Sequence, residues 1–469
     1  MHTDKDDREQ KSPIERNQIF TAEITGMTHE GMGVARVEGF VVFIKDAIVG
    51  ETVETKIIKV NKSYAVGKLL KVIKESDNRC DPFCSVFNRC GGCTLQHMSY
   101  TGQLKFKEGL VRDALERVGG LGKTVIHPII GMDNPYTYRN KAQYPVQMVE
   151  GKIQIGFFTR RSHSIVDAHD CGIQDSTAEK VKEIIRKFLE DYSIPIYDPE
   201  TGKGLVRHIV IRKGFSTGEV MVVLVVNGAD IPKKELLGEE LKREVPGTKS
   251  IVLNVNREKT NVIMGKRNIT IYGQDYITDY IGNLRFNISP NSFFQVNPVQ
   301  TEVLYKKALE FAGGFAGLLG SKTVFDIYCG VGTISLFLAQ AAKHVYGIES
   351  VTEAIDDARK NAAINNVGNV TFIAGQAEEA VPKLYANGIR ADVVVVDPPR
   401  KGCDEAVLIT IIEMKPERIV YVSCNPATLA RDMKYLCENG YRTVEVQPVD
   451  MFPWSEHVEL VALMSRVEK

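Results

Sequence analysis

The sequence has no net charge, no long hydrophobic run and no secretion signal. Lysine plus arginine and aspartate plus glutamate each number 59 in 469 residues. Overall attraction to a polyanion is thereby excluded, so any nucleic-acid contact must rest on local patches. No stretch approaches the ~18 apolar residues of a membrane span, and no membrane partner is expected. The first residues, Met1-His2-Thr3-Asp4-Lys5-Asp6-Asp7, are polar and mixed in charge. They do not read as a signal peptide, so a cytoplasmic protein is expected. Internal repeats and long low-complexity segments are also missing. The nine cysteines are an odd number. Without a secretion signal, metal binding and catalysis are better readings than a disulfide framework. What is present is the composition of a soluble globular protein, 43% apolar and 25% charged. The length predicts about two to four domains, at roughly 100–200 residues each.

Residues 1–13 read as a disordered tail. From about Asn17 to Val72 short alternating runs, such as Phe20-Thr21-Ala22-Glu23-Ile24 and Val41-Val42-Phe43-Ile44, are separated by glycines at 31, 33, 39 and 50. About five short strands in about sixty residues predict a small β-barrel, a type that often binds oligonucleotides. A purely structural β-module fits equally well. Residues 94–120 predict one or two helices, with Phe106, Leu110, Ala114, Leu115 and Val118 at three- and four-residue steps and Gly119-Gly120 closing the run. From about 125 to 288 the pattern is mixed. From about 289 onward strands and helices alternate, as βαβ units require.

Four cysteines fall close together as Cys80-x3-Cys84-x5-Cys90-x2-Cys93. Soft thiolates at such spacing hold zinc or an iron–sulfur cluster, and spacing alone leaves the choice open. Cys171 is a fifth candidate that spacing cannot weigh. The radical-generating pattern C-x3-C-x2-C fails, because Cys90 follows Cys84 too late.

Three apolar runs end in reactive or glycine-rich residues. Val324-Phe325-Asp326-Ile327-Tyr328 enters Cys329-Gly330-Val331-Gly332-Thr333; Val393-Val394-Val395-Val396 stops at Asp397-Pro398-Pro399-Arg400; Arg418-Ile419-Val420-Tyr421-Val422 stops at Ser423-Cys424-Asn425-Pro426. This predicts an open α/β sheet with its site at the carboxyl ends of the strands. The glycines let backbone approach a nucleotide-like ligand, and Glu349 stands about 20 residues on, where an acid accepts from ribose hydroxyls. The third glycine of a dinucleotide fingerprint is missing, which favours S-adenosylmethionine over a nicotinamide. Asp397-Pro398-Pro399 resembles the motif of amino-group methyltransferases, but Arg400 replaces its aromatic, so amino methylation is disfavoured. A thiol serves instead when the acceptor is an unactivated ring carbon. Its addition to carbon 6 of uracil makes carbon 5 nucleophilic, and a base must then take the proton at carbon 5. Cys424 and Glu459 suit those roles. The plainer readings are a structural cysteine at Cys424, a surface acid at Glu459, a proline-turn cap at Asp397, a core aromatic at Tyr328 and a solvated acid at Glu349.

With these motifs, Ser292-Phe293-Phe294-Gln295-Val296-Asn297 and His457-Val458-Glu459, the chain resembles the S-adenosylmethionine-dependent RNA uracil-5-methyltransferase family over nearly its whole length. The resemblance implies Cys424 as nucleophile and Glu459 as base. It implies cofactor contacts at Gln295, Tyr328, Glu349 and Asp397. The barrel and the C-x5-C-x2-C pattern look like the 23S ribosomal RNA branch, which has a TRAM barrel and a [4Fe-4S] cluster. Carried over, the cluster ligands are Cys84, Cys90, Cys93 and Cys171, and Cys80 is a spare. The implied fold is a Rossmann-like class I methyltransferase domain (94–125 and 289–469), an α+β central domain carrying the cysteine cluster (74–93 and 126–288) and an OB-like TRAM barrel (14–73). A monomer acting on 23S rRNA is expected. Basic and aromatic residues at Tyr136-Thr137-Tyr138-Arg139-Asn140-Lys141 and Arg160-Arg161 suit phosphates and unpaired bases, or simply a charged strand with surface tyrosines. The alternatives are a transfer-RNA enzyme, a non-catalytic RNA-binding iron–sulfur protein, and a cytosine-5 methylase. The last is disfavoured because no cysteine directly follows a proline.

Overall fold

Alternation of apolar residues at the start of the chain produces six strands rather than five: Ile19–Glu23, Gly26–Met27, Gly33–Val37, Phe40–Lys45, Thr52–Val60 and Tyr64–Lys74. This computed structural model describes residues 13–314 and 317–467. The tail expected over 1–13 therefore lies, Pro13 apart, outside the described residues. The first strand pairs with the fifth and the second with the third, and only two residues separate the first from the second. The sheet therefore closes into a barrel. Its interior is filled by small and branched residues, among them Ala35, Val42, Ile44, Val53, Ile57 and Ala65. Gly31, Gly39 and Gly50 turn the chain at positive φ, whereas Gly33 lies within a strand. A Cβ on Gly33 would stand 2.8 Å from the Ala47 carbonyl, so close packing rather than a turn requires the glycine.

The described residues form two compact units. The first holds the barrel, the residues through Phe87, Cys93–Gln103 and Trp454–Glu456. Within it Thr94 and Leu95 both donate their N–H to the Trp454 carbonyl, at 3.0 and 3.1 Å. That use of their backbone explains why the helix expected from 94 begins only at Tyr100. The helix Tyr100–Asp113 continues as a π-helical turn, Ala114–Val118, and Gly119 caps it.

The second unit holds Asn88–Gly92, Leu104–Pro453 and the residues from His457 on. Two large sheets organise it. A seven-stranded sheet runs in the order Ile165–Asp167, Lys152–Phe158, Lys141–Val149, Val206–Lys213, Val220–Val226, Thr248–Val255, Arg267–Gly273. Its parallel pair, Val220–Val226 with Thr248–Val255, is joined by the helix Lys234–Glu244, as a crossover requires. The helix Ser176–Asp191 covers the sheet with Val181, Ile185, Phe188 and Leu189 at helical spacing. Asp175 starts it by accepting from Thr177 N–H at 2.9 Å.

The eight-stranded sheet has the order Val370–Ala374, His344–Glu349, Thr323–Ile327, Val393–Val396, Arg418–Ser423, Glu459–Arg466, Tyr441–Val449, Val125–Ile126. The first five strands are parallel; Glu459–Arg466 runs antiparallel to its neighbours. Helices at 298–312, 333–339, 352–364, 377–386, 405–414 and 426–438 pack around strands that are apolar over most of their length. Strand order reverses between Thr323–Ile327 and Val393–Val396. Open α/β sheets bind ligands at such a crevice.

Candidate active site

Each parallel strand near that crevice delivers one functional side chain at its carboxyl end. Thr323–Ile327 runs into Tyr328, whose φ of 72° is left-handed, followed by Gly330 at 54° and Gly332 at 82°. A tyrosine rarely adopts that conformation, so the surroundings must hold it. They do so through the N–H groups of Tyr328 and Cys329, which both donate to the Ile348 carbonyl at 2.9 Å. The two glycines differ. A Cβ on Gly332 would stand 2.7 Å from the Phe372 ring, whereas one on Gly330 would meet nothing within 4 Å. Packing requires the first; the second leaves its open side free for a ligand.

His344–Glu349 delivers Glu349, which accepts from Gly330 N–H at 3.2 Å and from the Ser350 hydroxyl and Val351 N–H at 3.0 Å. Val393–Val396 delivers Asp397. Arg418–Ser423 delivers Cys424, and there the chain turns abruptly into the helix Pro426–Glu438. Asn425 makes that turn by accepting from the N–H groups of Ala427 and Thr428 at 3.0 and 3.4 Å, with Pro426 as first helical residue. Sheet register then selects the partner of the thiol. Ser423 stands opposite Leu460, so the next pair along the two strands is Cys424 and Glu459.

A cavity of about 730 Å³ joins these strand ends. Gln295, Tyr328, Glu349, Asp397, Cys424 and Glu459 all line it. The six site residues expected outside the cysteine cluster are thus brought together, across 165 positions of sequence. Gln295 belongs to the loop before the helix Pro298–Ala312, and Asn140 Nδ2 donates to its carbonyl at 3.0 Å.

The electrostatics disfavour charge on both reactive groups. Burial, then Glu459 and Asp397, push the Cys424 thiol up to about 11, with Arg400 opposing. Burial, then Asp397, hold Glu459 well above the usual carboxylate range, again with Arg400 opposing. Burial alone raises Asp397 to about 6. The protein without ligands therefore keeps a neutral thiol at pH 7, beside a carboxyl group whose charged form burial disfavours. Arg400 is the nearby cation. Its Nη2 lies 3.4 Å from His457 Nε2. A guanidinium can only donate, so His457 accepts there and keeps its proton on Nδ1. The Arg400 carbonyl accepts from Asn425 Nδ2 at 3.2 Å and from the Thr428 hydroxyl at 3.3 Å, which ties this loop to the nucleophile's own turn.

Sequence reasoning left several cavity residues without a role. Tyr305 and Thr333 share a hydroxyl–hydroxyl bond of 2.9 Å, and Phe293 is 71% exposed beside them in the lining. Gln376 follows the end of Val370–Ala374 and could have been found by extending the strand-end rule one strand further. Tyr305 gave no such signal, because it lies inside a helix. Of the aromatic pair expected to stack on bases, Tyr136 is exposed, but Tyr138 is 3% exposed and its hydroxyl donates to the Pro453 carbonyl at 3.1 Å. Tyr138 is therefore a core residue, contrary to expectation. In the same segment Lys141 is pushed down to about 7 by burial, then by Arg212 and Arg139.

Cys90 bridges to Thr159, and its Sγ accepts the Gly92 N–H at 3.3 Å. Cys171 follows Asp170, which has a φ of 54°, and Gln174 N–H donates to the Cys171 carbonyl at 3.1 Å. Cys84 N–H donates to the Gln96 side-chain oxygen at 3.2 Å, and Cys93 is buried. Cys80 differs, since its thiol donates to the Gln96 carbonyl at 3.4 Å and burial pushes it up. His169, Glu179 and Glu183 also gather ligand atoms within 4.8 Å, but the Lys182 amine, 2.7 Å from Glu179, already supplies a cation there.

Residues 249–467 match the family described as tRNA (uracil-5-)-methyltransferase, and residues 13–70 match the TRAM domain. A protein of Clostridium tetani described as an uncharacterized RNA methyltransferase is 52% identical, over 97% of both chains. One of Halalkalibacterium halodurans with the same description is 51% identical, over 97% of this chain and 98% of its own. Among solved structures, the tRNA (uracil-54, C5)-methyltransferase of Pyrococcus abyssi in complex with S-adenosyl-L-homocysteine is similar at a TM-score of 0.75. It is 30% identical, covering 95% of this chain and 100% of that one.

Proposed function

The chain belongs to the S-adenosylmethionine-dependent RNA uracil-5-methyltransferase family, and on that premise we propose that it methylates carbon 5 of uridine in 23S ribosomal RNA through a covalent Cys424–uracil bond. The observation that carries the mechanism is the sheet register that sets Cys424 beside Glu459 in one cavity with Asp397. The cofactor fits the cavity lining. The open side of Gly330 allows backbone approach, and Glu349 at the end of the adjacent strand offers a carboxylate for ribose hydroxyls. Gln295, Tyr328 and Asp397 complete the proposed contacts. When bound, S-adenosylmethionine supplies an electrophilic methyl group.

The chain's own residues do the rest. The target uridine must leave its stack to reach the cavity. The Cys424 thiol passes its proton to water and Sγ bonds to carbon 6, which moves the electron pair of the 5,6 double bond toward carbon 5. Carbon 5 would then accept the methyl group, whose bond to the sulfonium breaks to leave the neutral thioether. Glu459 as carboxylate then removes the proton at carbon 5. The pair left behind reforms the double bond, the carbon 6–sulfur bond breaks, and the thiolate is restored. Arg400 opposes the charge penalty on both groups.

We also propose a [4Fe-4S] cluster held by Cys84, Cys90, Cys93 and Cys171. The donor set suits it: four cysteines, one of them, Cys90, accepting a backbone N–H on its Sγ as cluster thiolates do. Cys80 keeps its proton on a carbonyl, which suits a spare. Protein purified without oxygen is expected to be brown and to contain about four irons and four sulfides per chain. Serine at any one of the four ligands should bleach it, and serine at Cys80 should not. Stoichiometric zinc without sulfide would overturn this assignment. An odd number of cysteines suits a reducing compartment, so the cytoplasm is the proposed location; a monomer is the proposed state.

The ribosomal target rests on the barrel and the cysteine pattern. A second reading, transfer RNA, is favoured by the Pyrococcus abyssi structure. That tRNA enzyme leaves only 5% of this chain uncovered, fewer residues than the barrel match spans, so a barrel does not by itself separate the two branches. Incorporation of labelled methyl into naked 23S fragments and into transfer RNA decides between them. We expect the 23S fragments to be methylated at least about tenfold faster at equal concentration. Efficient methylation of transfer RNA alone would reject the ribosomal target and leave the uracil chemistry standing.

A further inference from the structure

Five carboxyl groups line the cavity, Glu349, Glu378, Asp397, Asp404 and Glu459, against the cations Arg400 and Lys401, and a sixth, Asp326, is buried behind the lining. Asp326 is the fourth residue of the strand Thr323–Ile327 and has no solvent exposure. One of its oxygens accepts the Ser335 hydroxyl at 2.5 Å; the other, Oδ1, is buried with no hydrogen-bond partner. Asp397 stands at the end of the neighbouring strand, Val393–Val396, which pairs residue for residue with Thr323–Ile327. Glu459 and Glu349 line the same cavity. Ion pairs elsewhere in the described residues involve none of these four acids. An isolated buried carboxylate is costly, so such groups hold a proton until a cation arrives.

Every element around Asp326 and Asp397 contributes to this balance. The helix Thr333–Ala339 offers the neutral hydroxyls of Thr333 and Ser335, and the helix Pro298–Ala312 offers the phenol of Tyr305. Tyr305 is itself held above its ordinary range by burial and then by Asp397, Asp326 and Glu459, which shows that the three acids share one neighbourhood. The strand end adds the neutral groups Tyr328 and Cys329, and the next strand adds Glu349. The rest of the lining adds Glu378, Asp404, Glu459, His457, Cys424, Lys401 and Arg400. Of the two cations, Arg400 acts on Glu459 and Cys424. Neither Asp326, raised to about 7, nor Asp397, raised to about 6, draws relief from a cation.

The ligand that this family binds carries that missing charge. S-adenosylmethionine has a sulfonium; its product, S-adenosylhomocysteine, has a neutral thioether and is otherwise the same. We propose that Asp326 and Asp397 form a proton-linked sensor of the sulfonium, which releases protons when S-adenosylmethionine binds and retains them with S-adenosylhomocysteine, so that preference for substrate over product grows with pH. The sign follows from linkage. A cation lowers the carboxyl pKa, binding then expels a proton, and affinity rises with pH while the ligand-free group is still protonated. The consequence is product release: once the methyl group leaves, the two acids recover their protons and the charge that held the ligand is gone.

The test uses the whole protein and direct binding, apart from turnover. Dissociation constants for both ligands are measured from pH 5.0 to 6.5, with calorimetry in two buffers of different ionisation enthalpy to count released protons. The amino-acid portion common to both ligands keeps its charge over that range, so it cancels in the ratio. The affinity ratio of S-adenosylmethionine to S-adenosylhomocysteine is expected to rise at least about fivefold, since one linked proton gives up to tenfold per pH unit. Sinefungin, whose amine carries a charge where the sulfonium stands, should follow S-adenosylmethionine. Asp326→Asn, which preserves the acceptor for Ser335, should flatten the ratio. A ratio independent of pH in the wild type, or equal proton release by the two ligands, would overturn the proposal even if the variant fails to fold.

Discussion

Cys424→Ala is expected to lower methyl transfer by at least ~10³-fold, about 4 kcal/mol of transition-state stabilisation. Binding of S-adenosylmethionine should change by less than about threefold, because the cofactor contacts proposed at Gln295, Tyr328 and Glu349 come from other strand ends. The fold should survive as well. Cys424 sits at a turn whose geometry is set by its neighbours, namely the Asn425 cap, Pro426 and the Ser423 hydroxyl that accepts Asn425 N–H at 3.1 Å. Carbon 5 of uracil has no other route to nucleophilic character in this cavity. Cys329 also lines it, but burial pushes that thiol well above its ordinary range, and Asp326 and Glu349 push it further. Retention of full turnover by Cys424→Ala would therefore remove the covalent mechanism rather than shift it to a neighbour. The measurement is single-turnover methyl incorporation, with cofactor affinity determined separately on the same preparation.

Glu459→Gln should separate the two halves of the reaction. The glutamine keeps the shape of the carboxyl group without its basicity, so addition of the thiol and transfer of the methyl group should proceed. Removal of the proton at carbon 5 should not. An enzyme–RNA adduct that resists denaturant and already carries labelled methyl should accumulate, with overall turnover down by about 10²–10⁴-fold. In the wild type the release step should quicken with pH, since only the carboxylate takes the proton and its pKa is raised; the glutamine variant should lose that limb. Stability carries the same signature. For an acid raised in the folded state, stability is full below its unfolded pKa and falls as pH climbs toward the folded one. Glu459→Gln should accordingly melt no lower than the wild type at pH 8. An adduct lacking methyl, or none at all, would assign Glu459 a role before transfer instead of after it.

The contrast between the two acids and the thiol marks where sequence stops being sufficient. Local pattern was enough for the parallel strands, because Val393–Val396 is wholly apolar, Arg418–Ser423 is apolar from Ile419 to Val422, and both end at proline turns that admit no continuation. It was enough for the glycine turn, whose chemistry lies in adjacent residues. It also marked the proposed site residues one by one: Tyr328, Glu349, Asp397 and Cys424 at or just past strand ends, Glu459 at the start of a strand and Gln295 in the loop before a helix. By itself, then, the chain determined which segments are strands, where each stops, and which side chain stands at each end. Tertiary structure decided the rest, and for one reason: the deciding neighbours are distant in sequence. Thr94 and Leu95 leave the helical pattern because the Trp454 carbonyl takes their N–H groups. Tyr138 turns inward because the Pro453 carbonyl accepts its hydroxyl. Register places Glu459 against Cys424, although 34 residues separate them along the chain. The raised pKa values of Cys424, Glu459, Asp397 and Asp326 come chiefly from burial, which no residue carries in its own name and which arises only when four strand ends close around one cavity.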